Sequence, residues 1–358
     1  MFRTRVVGQR RGVSFLQNLI QKGRMPHSLL LFGPTGTGKA AAAIEMGRAL
    51  HCEQGSGLGA CESCKGCRKT KALNHPDFSV LFPMPARKEL DANHALTQQV
   101  IEDPYGYPLP DEGHPISIER IRSIQKQFSY GAYEGKWRTS VILHADQMRP
   151  EAGNALLKTL EEPHDRCLLI LTASNLEALL PTIVSRCQYL KFAQLSSQEV
   201  EAALISQEGV EAETARFVAR ACGGSFRRAR EMVDGDFQEA QDRSYRFLHA
   251  LIWGEEFPTY TALENLSRDR QAVWQVLEGA ELWLRDVFLV LNENQEQVSH
   301  FKKGEEIREL SKAFDTETIT RTFEMIEALR EKSRRHVNLY LGLVSLWRSV
   351  RSHTASSA

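Results

Sequence analysis

Short continuous apolar runs take turns with amphipathic stretches along the first half of the chain. Leu29–Phe32, Phe78–Phe82, Ser140–His144 and Cys167–Thr172 are short and mostly apolar, the pattern of strands buried on both faces of a parallel sheet. Between them the apolar residues take helical spacing: Val13, Leu16, Leu19 and Ile20 before Gly23, then Ala40–Leu50, then Ile118, Ile121, Ile124 and Phe128, then Glu151–Glu162 stopped by Pro163. Strand and helix in alternation predict an α/β core with a parallel sheet. Residues 83–115 interrupt it: they hold six of the thirteen prolines and little periodicity, which predicts a long surface insertion.

Beyond Phe192 only helical spacing remains. Ser196–Glu199 reads as a capping box with Val200, Ala203 and Leu204 facing inward, and Phe217, Val218 and Ala221 mark a second helix ending at Gly223 and Gly224. From about Gln238 the pattern is wholly helical. Val273, Val276, Leu277, Ala280, Leu284, Val287, Phe288 and Leu291 form one stripe, and Ile319, Phe323, Ile326 and Leu329 form another. The run Val337–Trp347 is apolar on more than one face, predicting a helix buried between neighbours. Ser352–Ala358 is small and polar, a frayed tail.

At 358 residues, with 42% hydrophobic and 25% charged, the chain can hold two or three domains. Lys plus Arg balances Asp plus Glu at 45 each, so no net field draws it to nucleic acid or an anionic membrane. The first twelve residues carry four arginines and no apolar segment, and no window is long enough to span a bilayer, which reads as cytoplasmic.

The first strand flows into Gly33-Pro34-Thr35-Gly36-Thr37-Gly38-Lys39. The glycines let successive N–H groups curl around an anion, and Lys39 can reach outer phosphates. Nucleotide contact is therefore assigned to Gly33, Thr35, Gly36, Thr37, Gly38 and Lys39. The next residue is Ala40, where a hydrolase needs a Ser or Thr hydroxyl on magnesium. The strand through Val141 and Ile142 should end in Asp then Glu in such an enzyme, but Leu143 and His144 stand there. Asp146, the nearest acid, is placed as a turn or helix-start residue. Both supports of the metal ion are thus missing.

Four of the seven cysteines follow closely: Cys52, Cys61, Cys64 and Cys67. That spacing suits a tetrahedral thiolate zinc site of structural kind, since four thiolates leave no position for a reactive water. A DNA-binding module built on these cysteines is disfavoured by the neutral charge balance and by the lack of a Lys/Arg stripe near them.

Leu156–Pro163 and Leu180–Cys187, taken with the loop, the cysteines and the strand order, resemble the AAA+ subunits of the bacterial DNA polymerase III clamp-loader complex, most strongly over residues 1–235. The resemblance implies a RecA-like AAA+ sheet with a zinc module over 1–193 (module 52–67, insertion 83–115). A helical lid over 194–237 and a helical collar over 238–351 follow, with a tail at 352–358. It implies that Arg186, in Ser-Arg-Cys, is an arginine finger offered to a neighbouring subunit's nucleotide, and that Arg227 is a lid arginine sensing nucleotide. With Ala40, Leu143 and His144 beside a kept Arg186, the match is to the non-hydrolysing delta-prime kind rather than the hydrolysing gamma/tau kind. Such a subunit is a stator without ATPase activity of its own, with room for ATP or ADP held without productive magnesium. Its implied partners are gamma/tau-like ATPases and a delta-like clamp opener, and, through the complex, the sliding clamp and primer-template DNA.

Overall fold

The computed structural model describes residues 5–55, 57–84, 90–107, 115–234, 237–295, 298–300, 303–333 and 338–354. Of the features expected from sequence, residues 85–89 and 108–114 of the insertion, Val337 and the tail residues 355–358 lie outside the described residues.

The chain forms two compact units, residues 1–209 with 222–231, and residues 210–221 with 232–358. In the first, α1 (Arg10–Lys22), β1 (Ser28–Phe32), α2 (Lys39–Ala49), α3 (Lys65–Lys71) and β2 (Phe78–Leu81) come in that order, followed by α4 (Leu90–Glu102), α5 (Ile118–Phe128), β3 (Arg138–Ile142), α6 (Pro150–Glu161) and β4 (Cys167–Ala173). Then come α7 (Pro181–Val184), β5 (Gln188–Lys191) and α8 (Ser197–Glu208). The strands form one sheet in the order β2-β3-β4-β1-β5. All pairings are parallel, with Leu30 beside Leu171 on one side and Tyr189 on the other. β1, β3 and β4 lie inside, and Leu29–Leu31, Val141, Ile142 and Leu168–Leu171 are buried as their runs required. On one face, Ile121, Ile124 and Phe128 of α5 and Leu156 and Leu160 of α6 share a core with Leu169 and Leu171.

Three local expectations change. β3 ends at Ile142, and His144 takes a left-handed backbone conformation (φ 53°) just past it. The edge strand β5 was invisible to periodicity because its residues are mostly exposed. Residues 83–115 are not a structureless surface loop: they contain α4, and Val100, Ile101, Tyr105 and Tyr107 are buried.

α8 opens on the capping box, with Ser196 Oγ accepting from Glu199 N and Glu199 Oε2 accepting from Ser196 N. α9 (Ala212–Ala221) belongs to the second unit by its packing, while α10 (Phe226–Asp234) begins in the first. The second unit continues with α11 (Phe237–Trp253), α12 (Glu256–Ser267), α13 (Arg270–Leu291), α14 (Gly304–Ala313), α15 (Thr316–Ser333) and α16 (Leu339–Thr354). Trp283 of α13 is the largest buried side chain of its core, which also takes Ile319, Ile326, Leu343, Leu346 and Trp347. α16 turns one face to that core and leaves Leu341 62% exposed, so it is not enclosed all round. Ser352–Thr354 complete its last turn rather than starting a frayed tail. Among the described residues, no helix is long and apolar enough to cross a membrane.

Candidate functional site: a phosphate loop, a cysteine cluster and a surface arginine

The glycines of the phosphate loop are dictated by close approach. Gly33 has φ +143°, and a Cβ there would sit 2.0 Å from the Phe192 carbonyl oxygen; at Gly36 (φ +78°) it would sit 1.9 Å from Ser225 Oγ. A side chain at either would push the loop off β5 or off the start of α10. Phe226 N donates to Gly36 O at 2.9 Å, which ties α10 to the loop. Thr37 Oγ1 donates to Pro34 O at 2.8 Å, and Thr35 Oγ1 lies 3.2 Å from Ser174 Oγ.

Lys39 begins α2 and is folded back on its own loop, with Nζ donating at 2.6 Å to both Gly33 O and Pro34 O. Burial brings its ammonium down to about 8, partly offset by the carboxylate of Asp146. Asp146 lies in the short 3-10 turn Ala145–Gln147, as a turn residue should. Its Oδ2 accepts from Ser174 N and Asn175 N at 2.9 Å each, so this oxygen is committed to the turn after β4. Leu143 is fully buried, and Ala40 lines the pocket without a ligand atom.

The space over the loop is filled by two residues that periodicity missed. Tyr105 and Tyr107 stand on the Asp103–Tyr107 turn, where Asp103 Oδ1 accepts from the Tyr105 and Gly106 amides and pairs with Arg230 at 2.5 Å. Tyr105 Oη accepts from Val7 N at 3.1 Å and sits 2.7 Å from where a Cβ on Gly38 would be. Tyr107 Oη is 2.8 Å from His144 Nε2. Arg227 lies 4.5 Å over the Tyr107 ring and donates to the Tyr107 carbonyl at 2.5 Å, so this arginine grips the tyrosine turn. The remaining cavity, lined by Gly36, Lys39, Ala40, His144 and Arg227 among others, is about 30 Å³. That admits about one water, whereas ligand pockets are typically several hundred Å³. The only cue in sequence was a Pro/Gly turn carrying two aromatics.

Burial holds the His144 imidazole down at about 4, with Asp146 opposing and Lys39 and Arg227 adding to the depression. A histidine whose folded-state value is lowered resists protonation only in the folded state. Its contribution is complete above the unfolded value of about 6.5 and is lost as pH falls towards 4. His144 alone should therefore lower stability by about 2 kcal/mol between pH 8 and pH 5. Urea unfolding at the two pH values, with His144→Gln as comparison, checks it: a difference equal in the variant and the unaltered chain removes His144 as the cause.

The four cysteines do converge. The sulfurs of Cys52, Cys61, Cys64 and Cys67 all lie within 4.8 Å of one another, and Cys61 Sγ to Cys67 Sγ is 3.7 Å. A tetrahedral site with bonds of about 2.3 Å has sulfur–sulfur edges of about 3.8 Å, so the thiols fit a metal centre. Cys64 N donates to Cys61 Sγ at 3.3 Å and Cys67 N to Cys64 Sγ at 3.4 Å. The Ser63 hydroxyl and the Cys64 amide bring the Cys61 thiol down to about 6, while burial raises that of Cys67. The cluster is fastened to the sheet domain through Glu62, which pairs at 2.9 Å with the buried Arg48 of α2.

Arg186 does not line the phosphate-loop pocket. It lies just beyond α7, with its side chain 37% exposed, Nη1 donating to Thr182 O at 3.1 Å and Nη2 pairing with Glu161 Oε1 of α6 at 2.9 Å. Helix-end capping and a surface guanidinium are thus combined in one residue.

A family model described as "DNA polymerase III, delta subunit" matches residues 8–196, more than half of the chain. The chain belongs to this family. The parallel sheet with its phosphate loop lies within the matched residues, and an all-helical C-terminal region follows it. The DNA polymerase III subunit delta' of Bacillus subtilis is 27% identical over 334 residues, 92% of each chain. The delta' subunit of Pseudomonas aeruginosa is 34% identical over 161 residues, 45% of this chain and 41% of that one. The tau subunit of Bacillus subtilis is 25% identical over 353 residues, 91% of this chain but 56% of that one. The Bacillus subtilis delta' subunit therefore matches along its length, whereas the Pseudomonas aeruginosa delta' subunit and tau match in part.

Proposed function

We propose that this chain is a delta-prime-type subunit of a DNA polymerase III clamp loader, a non-hydrolysing stator that places Arg186 in the nucleotide site of a neighbouring gamma/tau-like ATPase. One observation carries the reading: the chain's own pocket has Ala40, Leu143 and His144 at the positions that support magnesium, while a guanidinium stands at the surface. Planar and permanently charged, that fork suits the charge developing on a transferred phosphoryl group. The wider partners of the reading are a delta-like clamp opener and, through the assembled complex, a sliding clamp and primer-template DNA in the cytoplasm. The helical second unit supplies the collar, and the exposed Leu341 on α16 suits a contact between subunits.

The cysteines hold one structural zinc in this reading. Cys52, Cys61, Cys64 and Cys67 supply four thiolates, which close the coordination sphere and confine the metal to holding the segment together. Nucleotide, either ATP or ADP, would meet Gly33, Thr35, Gly36, Thr37, Gly38, Lys39 and Arg227 only after Tyr105 and Tyr107 moved aside, because a cavity of about 30 Å³ has no room for it.

The test is turnover by the purified chain. ATP hydrolysis with magnesium should be at least ~10³-fold below that of an assembled complex, since each lost metal support is worth several kcal/mol in the transition state. Tyr107→Ala should tighten binding of a fluorescent ADP analogue by opening the pocket, with turnover still absent. Brisk magnesium-dependent hydrolysis by the unaltered chain would refute the stator reading in favour of a gamma/tau-like motor.

A further inference from the structure

α3, the helix that carries Cys67, has four basic residues and no acidic one. Lys65, Arg68 and Lys71 are exposed, and Lys69 is half-buried. The Lys/Arg stripe missing from the sequence reading is therefore carried by the metal-cluster helix itself, where neutral composition hid it. Lys69 also joins this face to the loop between α5 and β3, its Nζ lying 2.7 and 2.5 Å from the two carboxylate oxygens of Glu134. Lys65 lies one turn before Lys69 on the same side of α3, so it too stands towards that loop.

The loop presents two tyrosines to solvent, Tyr130 at 74% and Tyr133 at 81% exposure, with the exposed Lys136 close behind. It is not a floppy loop. The buried Asp77 accepts from Tyr133 N at 2.7 Å, Glu134 N at 2.7 Å and Gly135 N at 2.8 Å, and its other anchor is Arg138 at 2.8 Å. Two aromatic rings are thus held on a rigid backbone with no packing role of their own, on the side of α3 that carries Lys65 and Arg68, while Lys69 pairs with Glu134 and Lys71, on the far side of the helix, faces Glu102 at 4.0 Å. Rings of that kind stack on unpaired bases while cations follow a phosphate backbone. A duplex keeps its bases stacked inside, so the rings discriminate between the two forms.

We infer that the face formed by Lys65 and Arg68 of α3 with Tyr130 and Tyr133 of the adjoining loop binds single-stranded DNA. The cations track phosphates and the tyrosines stack on bases. This goes beyond the stator reading and stands apart from it, since the face uses neither the phosphate loop nor Arg186.

Fluorescence anisotropy of a labelled oligo-deoxythymidine with the full, zinc-loaded chain tests it, between about 50 and about 200 mM salt. Single strands should bind at least ~10-fold more tightly than a duplex of equal length, because only they offer free base faces. Lys65→Ala/Arg68→Ala should weaken binding and reduce the slope of log affinity against log salt by about 1.4, from roughly 0.7 per phosphate contact. Tyr130→Ala/Tyr133→Ala should weaken it ~10-fold with the slope unchanged. All four side chains are exposed, so the variants keep the fold, which circular dichroism verifies. No binding at the lowest salt, or equal affinity for duplex, overturns the inference. Indifference to the tyrosine change with polyglutamate competing as well as DNA also overturns it, and marks the face as a site for an acidic protein.

Discussion

Arg186→Ala should leave the chain folded and lower ATP turnover at the adjacent site of a reconstituted clamp loader by about 10³-fold or more, the range that arginine fingers supply. Two features make the substitution clean. The side chain is 37% exposed and its partners are the Thr182 carbonyl and the half-exposed Glu161, so its loss costs about 1 kcal/mol or less of stability. Arg186 is also outside the phosphate-loop pocket, so the substitution leaves the lining of the chain's own pocket unchanged. Single-turnover hydrolysis by the complex, with DNA and clamp present, is the measurement. Arg186→Lys should recover little, because a compact ammonium lacks the planar fork. Unchanged turnover with Arg186→Ala would show that the guanidinium serves only as a cap for α7.

The second large effect concerns metal. Cys67→Ser should reduce bound zinc from about one per chain to almost none, since zinc bound by four thiolates contributes on the order of 10 kcal/mol to a small fold. The apolar cluster at α3 is small and made largely of the ligands themselves: Ala60, Cys64 and Cys67, partly covered by Cys52 and Cys61. A seven-residue helix does not persist alone. Hydrogen exchange across residues 52–71 should accelerate to that of an unfolded chain, while β1, β3 and β4 stay protected. The sheet domain should still lose about 2 kcal/mol, because Glu62 leaves Arg48 buried with only Glu45, at 3.9 Å. Zinc uptake should also weaken as pH falls, since protons compete for the thiolates. Metal analysis with exchange mass spectrometry reads all three. Full zinc content in Cys67→Ser would remove that residue from the ligand set.

How the chain reads without its structure follows from how far apart the interacting residues lie. The buried strands, the phosphate loop and the four cysteines are local: each is a few residues, or sixteen from Cys52 to Cys67, whose types and spacing carry the physics. Leu29–Leu31 are buried on both sides because a parallel inner strand has no solvent face, and an unbroken apolar run records that directly. The missing hydroxyl at Ala40 was equally plain. The tyrosine plug was not: Tyr105 meets Val7 across 98 residues and Tyr107 meets Arg227 across 120. No periodicity links positions that only chain folding brings together. α4 was hidden for a related reason, since proline-rich flanks on both sides masked a helix in which Thr97, Val100 and Ile101 are buried.

Residue order alone thus determined a phosphate-loop core with Ala40 after its lysine, a cluster of four cysteines and a helical C-terminal half, because those depend on residue type and near neighbours. Tertiary structure decided that the pocket is closed by the chain's own tyrosines, that Arg186 stands outside it against Glu161, and that Lys69 pairs with the loop that carries the exposed rings. Such facts rest on which distant side chains meet. That meeting is settled by packing of the whole sheet domain, where burying apolar area outweighs any local preference.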